Sequence, residues 1–434
     1  MSLSALRGRV VTCLDDPFRV DAGALSYEPD GLVVYDAGRI TATGPAHVLL
    51  PTLPANTPVA HYPNHLISPG FIDTHVHYTQ TAMVGAHGAQ LLDWLNRYAF
   101  PTELRFSDPA HAAAMAKVFC DELARNGTTT ALVFCAVFPQ SVDALFEEAE
   151  RRGLRLIAGK VLMDRHAPAG LLDTPQSAYD QSKALIDRWD GRGRLHYAIT
   201  PRFAPTSSPA QLELAGALWS EYPDVFVHSH LSESAAECAW VRELFPDNDN
   251  YLDVYDSFGL TGRRAVYAHG VHLTEAELLH CHHTGTALAH CPTSNFFLGS
   301  GVFNLGRATA PERPVHVGLG TDIGAGTSFS LLATLNEAYK AAQLSGSALD
   351  GVRGWYLATL GAARALDLDG VIGSLQPGRD ADMVVLDPHA TPLLKLRAEQ
   401  CESIEELLFV LMTLGDDRVV TQTYIGGVAQ RPFA

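Results

Sequence analysis

Short apolar runs alternate with segments of helical character eight times in the middle of this chain. The runs cover residues 71–77, 128–134, 154–163, 195–202, 225–230, 265–269, 286–290 and 315–322. Strands that alternate with helices pair in parallel, because each helix returns the chain to the same end of the sheet. Eight strand–helix units are enough to close such a sheet into a barrel. The sequence therefore predicts an α/β fold with a (β/α)8 TIM barrel over residues 69–370.

The two flanking segments, residues 1–68 and 371–434, lack this alternation and contain many valines, glycines and turn-forming residues. Residues 36–40 have the composition of a hairpin turn, and residues 373–387 indicate a turn that leads into an apolar strand. Neither flank is long enough to build a stable core by itself. We therefore expect the two flanks to pack together as one small β-sandwich domain beside the barrel.

The charge and cysteine content exclude several kinds of partner and site. The chain has 31 Lys and Arg against 48 Asp and Glu, a net charge of -17, which disfavours nucleic acid and anionic membrane surfaces. Its seven cysteines form no Cys-x-x-Cys pair, so neither a disulfide framework nor a zinc knuckle is indicated. No secretion signal or membrane-spanning run is recognisable. We expect a cytoplasmic protein without nucleic-acid or membrane partners.

Histidines and one aspartate end four of the predicted strands. His75 and His77 end the first, and residues two apart on a strand face the same way. His230, His269 and Asp322 end the fifth, sixth and eighth strands. Strand C-termini meet at one mouth of a TIM barrel, so these ligand-type side chains should converge on a metal such as zinc. Taken alone, His75 and His77 could instead be two solvated histidines at a strand end.

Glu233 lies three residues beyond His230, just past the end of its predicted strand. A carboxyl group screened from water beside a metal site has a pKa suited to general acid and base catalysis. The alternative is a first-turn helix residue that the helix dipole favours. His228 shares the face of His230 but lies deeper in the barrel, so we expect a packed core histidine.

Several motifs of the barrel region together resemble those of the amidohydrolase superfamily. They are residues 69–80 (PGFIDTHVHYTQ), 91–95 (LLDWL), 200–204 (TPRFA), 230–233 (HLSE), 268–270 (AHG), 289–295 (AHCPTSN) and 318–322 (GLGTD). The His-x-His and Gly-Thr-Asp pieces are general to the superfamily. The pieces YTQ, DWL and PRF are more specific and resemble the members that deaminate guanine. The flanks resemble only the superfamily's general β domain.

The resemblance implies a metal-dependent barrel enzyme that hydrolyses guanine to xanthine and ammonia in purine catabolism or salvage. It implies one zinc per subunit, held by His75, His77, His230 and Asp322, with iron as an alternative metal. The predicted fourth strand has no lysine of the kind that holds a second metal in other members, which favours a single ion. The resemblance also implies a homodimer.

The same resemblance assigns catalytic roles to three residues. Asp322 takes a proton from water, Glu233 protonates guanine N3 and then the departing amine, and His269 orients the water. These assignments agree with what the reaction needs, namely one group that removes a proton and one that delivers it.

Four further residues are implied as substrate contacts. The planar guanidinium of Arg202 can meet guanine O6 and N7 together, and Phe203 offers a flat apolar wall. The Gln80 amide would read the remaining ring edge, and Trp94 would close the slot. Without the resemblance, Arg202 could equally be a salt-bridge partner at the barrel rim, and Trp94 a helix core residue.

Two alternatives to guanine deamination remain open at this point. One is a related barrel hydrolase acting on another amino-heterocycle, such as an oxidised guanine, a triazine or a thiolated adenosine derivative. The other is a scaffold protein of the same fold without activity. Other histidine clusters are not expected to bind metal: Cys281, His282 and His283 should lie on a helix surface, and His290 and Cys291 end the seventh strand.

Overall fold

The computed structural model describes residues 3–20, 22–88 and 90–430. Its strands are β1 (Ser4–Cys13), β2 (Leu25–Asp36), β3 (Arg39–Pro45), β4 (Val59–Pro69), β5 (Phe71–His77), β6 (Thr128–Phe134), β7 (Arg155–Gly159), β8 (Val161–Leu162), β9 (His196–Pro201), β10 (Phe226–Leu231), β11 (Ala265–His269), β12 (Ala287–His290), β13 (Val317–Leu319), β14 (Met383–Leu386), β15 (Val420–Ile425) and β16 (Val428–Ala429).

Its α-helices are α1 (Ala46–Leu49), α2 (Leu91–Trp94), α3 (Phe100–Leu104), α4 (Pro109–Arg125), α5 (Pro139–Arg152), α6 (Pro175–Trp189), α7 (Pro209–Glu221), α8 (Ala235–Leu244), α9 (Tyr251–Ser257), α10 (Glu275–Thr284), α11 (Pro292–Phe297), α12 (Leu305–Ala308), α13 (Leu331–Leu344), α14 (Gly351–Ala358), α15 (Leu360–Ala365), α16 (Pro392–Ala398) and α17 (Ile404–Leu414). A π-helical turn, Leu95–Ala99, joins α2 to α3.

Eight strands form the barrel in the order β5-β6-β7-β9-β10-β11-β12-β13, and their pairings are parallel. Strands β5, β6 and β11 have the bounds predicted from the sequence. The sheet closes on itself where the Thr74 hydroxyl of β5 donates a hydrogen bond of 2.9 Å to the Leu319 carbonyl oxygen of β13. The predicted (β/α)8 barrel is confirmed.

Two predicted strands differ from the observed ones. The third run divides at Lys160 into β7 and β8, and β8 pairs with β9. The eighth run gives only the three residues of β13, because the chain then turns into the barrel mouth. There the backbone N–H of Gly320 donates to the His290 carbonyl oxygen (2.9 Å), and that of Thr321 donates to Asp73 Oδ1 (3.0 Å).

The remaining strands come from both flanks and form a second, mixed sheet in the order β16-β15-β14-β4-β1-β2-β3. Only the β1–β4 pairing among these strands is parallel in the described residues. The edge strand β3 contacts the segment that precedes β14, since the Ile40 N–H donates to the Arg379 carbonyl oxygen (2.8 Å). A shared apolar cluster includes Leu6, Val33, Met383 and Val385. The predicted separate β unit built from both flanks is thus confirmed, and its strands belong to one continuous sheet.

The barrel interior is filled below its mouth. Its apolar cluster includes Ile72, Leu132, Ile157, Phe226 and Val266. Helix α15 closes the opposite end with small side chains that belong to the same cluster. Because the interior is a packed core, polar side chains of the strands can collect only at the C-terminal mouth.

Cys281, His282 and His283 lie on α10, the helix that follows β11, as predicted. The predicted surface position of Cys281 is wrong: its side chain is buried with Leu278, which lies three residues earlier on the same helix face. All seven cysteines are free thiols. Within the described residues, every helix is too short or too polar to cross a membrane.

Candidate metal centre and active site

Four side chains converge at the barrel mouth with their ligand atoms within 4.8 Å of one another. His75 and His77 come from β5 and His230 from β10, while Asp322 follows β13. The Nε2 atoms of His77 and His230 are 3.2 Å apart. Asp322 Oδ1 lies 3.1 Å from His75 Nε2 and 3.3 Å from His77 Nε2. The structure therefore brings together the four residues that the sequence analysis assigned to a metal.

The imidazoles of this cluster are arranged as neutral metal ligands, each with a lone pair available to a cation. His75 Nδ1 lies 2.8 Å from His228 Nε2, and His230 Nδ1 donates to the Arg202 carbonyl oxygen at 2.6 Å. Each of these contacts uses one ring nitrogen and leaves the Nε2 lone pair directed at the cluster. Burial lowers the pKa of His77 to about 4 and that of His230 well below its ordinary value. Three inward lone pairs beside a carboxylate fit a divalent cation.

His228 is buried as predicted, but it does more than fill the core, since it holds the ring of His75 from behind. The sequence could have indicated a role for His228 at the metal centre, because His228 and His230 are two residues apart on one strand and so share a face. A partner on the second ring nitrogen fixes both the tautomer and the orientation of a metal-binding histidine.

The position of Asp322 depends on a buried carboxyl group in β5. Asp73 Oδ1 accepts hydrogen bonds from the backbone N–H groups of Thr321 (3.0 Å) and His75 (3.2 Å). The Asp322 N–H in turn donates to the His75 carbonyl oxygen (2.9 Å). Asp322 itself has a φ of 50°, a conformation that costs a non-glycine residue energy and that clusters at functional sites. The surrounding bonds hold it there.

A second group of ligand-type side chains overlaps the first and consists of His75, His269, Cys291 and Asp322. Burial raises the pKa of the Cys291 thiol well above its ordinary value, and the thiol donates to the Ala289 carbonyl oxygen at 3.4 Å. This thiol must give up its proton before it can bind a cation, whereas the neutral imidazoles and the carboxylate of the first group need not. The first group therefore fits a cation better than the second.

Glu233 and His269 face the cluster from one side. Glu233 precedes Ser234, the N-cap of α8, so the alternative that it is a first-turn helix residue is wrong. Its Oε1 accepts from the Ser300 hydroxyl (3.1 Å), and its Oε2 lies 3.4 Å from His269 Nε2. Burial, helped by the charge of Asp322, raises the pKa of Glu233 to about 8. Glu233 can therefore carry a proton at neutral pH.

His269 is oriented from behind by an amide. Its Nδ1 lies 2.9 Å from Asn295 Oδ1, an atom that can only accept, so Nδ1 carries the hydrogen. The Nε2 atom is then an acceptor. It is buried, makes no hydrogen bond among the described residues, and lies 3.8 Å from Asp322 Oδ2. Such an atom can hold a water molecule between His269 and Asp322.

A cavity opens next to these groups. The four residues expected to contact substrate line it, namely Gln80, Trp94, Arg202 and Phe203. His77, His230, Glu233, His269 and Asp322 line its other side. Apolar surface comes from Leu91, Leu95, Leu298 and Ala325. The cavity thus joins the candidate metal centre to a flat, partly apolar slot, as a small planar ligand requires.

Sequence reasoning missed Glu103, a fully buried residue of α3. Its two oxygens accept from Arg202 Nη1 (2.6 Å) and Gln80 Nε2 (3.0 Å). Arg202 therefore has a salt-bridge partner, but a buried one beside the cavity rather than a partner at the rim. The short helix α3 gave no pattern in the sequence that set this glutamate apart from a surface residue.

Comparisons with known proteins agree with this arrangement. The model of the Amidohydrolase family matches residues 66–429. Guanine deaminase of Escherichia coli (strain K12) is 53% identical over 429 residues, which cover 98% of this chain and 97% of the relative. The solved structure of E. coli guanine deaminase covers 99% of each chain with a TM-score of 0.96 and 52% identity. Guanine deaminase from C. acetobutylicum, solved with guanine bound in the active site, is 28% identical and covers 99% of this chain and 100% of its own with a TM-score of 0.88.

Proposed function

This chain belongs to the amidohydrolase family, and we propose that it hydrolyses guanine to xanthine and ammonia. One observation carries the proposal: Arg202 and Gln80 line the same cavity as His77, His230 and Asp322, three members of the candidate metal cluster. Side chains that can hydrogen-bond the edge of a purine and a metal site that can activate water thus line the same cavity. The full-length similarity to guanine deaminases supports the same reaction.

We assign zinc to the candidate metal centre, one ion per subunit, with iron as the alternative. Three imidazoles and one carboxylate are zinc's usual donors, and β9 has no lysine to hold a second ion. When bound, zinc supplies Lewis acidity that lowers the pKa of a coordinated water to about 7. Retention of zinc through purification and chelator-free dialysis would support this choice of metal.

Proton handling falls to Asp322, His269 and Glu233. Asp322 Oδ2 and His269 Nε2 are 3.8 Å apart and can orient a water between them, with Asp322 taking its proton. Glu233 is protonated at neutral pH because burial raises its pKa to about 8. It can donate its proton to guanine N3, then accept the proton of the new hydroxyl at C2 and pass it to the departing amine. The proton taken up by Asp322 then returns the site to its starting protonation state. Deamination at C2 needs both transfers.

Arg202 and Phe203 orient the purine. The guanidinium donors of Arg202 that Glu103 does not use can meet O6 and N7 together. The Phe203 ring supports the flat face of the base, and Trp94 closes the slot from α2. Placing C2 next to the activated water lowers the barrier by fixing the reacting groups in one geometry.

The test is an assay of the zinc-loaded protein with guanine as substrate. We expect loss of the guanine absorbance band and release of one ammonia per guanine consumed. No turnover by protein that retains stoichiometric zinc would contradict the proposal. Faster turnover of an oxidised guanine, a triazine or a thiolated adenosine derivative would replace guanine as the substrate.

We further propose a homodimer, a cytoplasmic location and three segments, residues 1–68, 69–370 and 371–434. The seven free thiols support a reducing compartment. The switch of β4 to the mixed sheet and of β5 to the barrel, on either side of Gly70, supports the first boundary. Residues 1–2, 21 and 431–434 of the flanks lie outside the described residues. Light scattering of the purified protein tests the homodimer.

A further inference from the structure

Glu103 connects two side chains that face the candidate substrate cavity. It is about 1% exposed, and each of its carboxylate oxygens accepts one hydrogen bond, from Arg202 Nη1 and from Gln80 Nε2. Arg202 is also buried, with 2% exposure. A buried carboxylate held by a guanidinium forms a strong, directional bond, so the Arg202 head group has little freedom.

The partners of Gln80 define which way its amide points. The carboxylate of Glu103 can only accept, so the amide nitrogen must face it. The backbone N–H of Gly324 can only donate, and it donates to Gln80 Oε1 at 3.2 Å. Both ends of the amide are thus assigned by neighbours of fixed polarity. The oxygen is engaged with the backbone, and one N–H remains for a ligand.

Helix α3 restrains Arg202 on a second side. Phe100 lies three residues before Glu103, so both side chains project from the same face of the helix. The guanidinium carbon of Arg202 lies 5.2 Å from the centre of the Phe100 ring. A carboxylate and an aromatic ring therefore restrain the guanidinium on two sides. The free edge of Arg202 offers only N–H donors to the cavity.

We infer that Glu103 is a positioning residue that sets substrate specificity by holding the free N–H donors of Arg202 at the place where O6 and N7 of the purine bind. Arg202 carries no acceptor in any orientation, so Glu103 determines where its donors point. A wall of donors favours a purine with an oxygen at C6 and disfavours one with an amino group there. The inference rests on the proposed guanine deamination. It adds the reason why a 6-oxo purine should bind better than 2,6-diaminopurine, which carries an amino group in place of O6 and no hydrogen on N1.

The test is Glu103→Gln with two measured constants, the KM for guanine and the inhibition constant of 2,6-diaminopurine. The introduced amide nitrogen would face a donor on Arg202 or on Gln80, so one of the two must turn away. We expect the KM for guanine to rise about 30-fold, as for a lost buried charge-assisted hydrogen bond. The inhibition constant of 2,6-diaminopurine should change less than about threefold, and kcat and zinc content should remain close to wild type.

Two variants control for a merely structural effect. Glu103→Asp keeps a carboxylate, so it should preserve the ratio of the two constants even if both weaken. Glu277→Gln neutralises another buried carboxylate, which accepts from Thr274 N in the N-cap of α10 away from the cavity lining. It should lower the melting temperature without changing the ratio.

An unchanged ratio in folded, zinc-loaded Glu103→Gln would overturn the inference. If that variant does not fold, Phe100→Leu removes the ring that restrains the Arg202 guanidinium on its other side and must narrow the same ratio. An unchanged ratio in Phe100→Leu would equally overturn the inference. Failure of the wild-type enzyme to deaminate guanine would instead refute the proposed function, so the two failures are distinguishable.

Discussion

The two sides of the cavity are built in different ways. On one side, His75, His77, His230 and Asp322 sit at or just beyond the ends of barrel strands. On the other side, Trp94 and Glu103 come from the short helices α2 and α3, which lie between the first two barrel strands. The strand side carries the candidate metal ligands, and the helical side orients the residues that would read the substrate.

The side chains on the two sides of the cavity are held in position by different kinds of contact. Strand ends are positioned by the hydrogen-bond ladder of a closed sheet, and the loop before Asp322 is tied to β5 through Asp73. In the described residues the helical side has no ladder to the barrel, and it contacts Arg202 through the buried salt bridge with Glu103 and the ring of Phe100. We therefore expect changes on the strand side to abolish the chemistry and changes on the helical side to alter substrate affinity.

The largest effect is expected for His77→Ala on the strand side. Loss of one of the few ligands should reduce bound zinc to less than about a tenth and activity by at least about a thousandfold. Xanthine binding should persist within about tenfold, because the helical side is unchanged. Metal analysis, a guanine assay and calorimetry with xanthine provide the three readouts.

Chelation of the wild-type enzyme is the matched control for His77→Ala. It should give the same loss of activity, and added zinc should restore it in the wild type only. If His77→Ala retained full zinc and more than a tenth of the activity, His77 would not be a ligand. If xanthine binding also disappeared, metal binding on the strand side and ligand binding on the helical side would depend on each other.

Glu233→Gln comes next and tests proton transfer without loss of metal. We expect zinc to be kept and kcat to fall by at least about a hundredfold, as for a lost general acid. The wild type should lose kcat/KM as pH rises through the pKa of Glu233, because only the protonated acid donates. Burial raises that pKa to about 8, and a bound cation shifts the decline toward lower pH by stabilising the carboxylate.

The pH profile of Glu233→Gln is the control, since its residual activity should lack this alkaline decline. An unchanged decline in the variant would assign it to another group. Normal activity in Glu233→Gln would remove Glu233 from the proton transfers and leave the strand side responsible for the metal alone.

The same contrast explains what the sequence could predict. Strand ends carry a pattern: His75 and His77 are two residues apart, and each further ligand-type residue follows an apolar run. The barrel and the convergence of these residues could therefore be predicted. The short length of β13 could not, because it results from Thr321 bonding to Asp73, a contact between residues far apart in sequence.

Glu103 could not be predicted for a related reason. A five-residue helix has no periodicity that separates a buried glutamate from an exposed one. Its burial depends on the simultaneous presence of Arg202 and Gln80, which arrive from two other parts of the chain. Buried charges become recognisable only when their partners are in place.

The smallest effect is expected for Trp94→Phe on the helical side. The Trp94 indole lines the cavity, and its Nε1 donates to the Ala86 carbonyl oxygen at 3.1 Å, which fixes the ring over the slot. Phenylalanine keeps an aromatic face but loses that bond. We expect the KM for guanine to rise about threefold to tenfold, with kcat and zinc content unchanged. A fall in kcat with constant KM would mean that Trp94 acts on the chemical step. The helical side would then contribute to the chemistry as well as to substrate affinity at this residue.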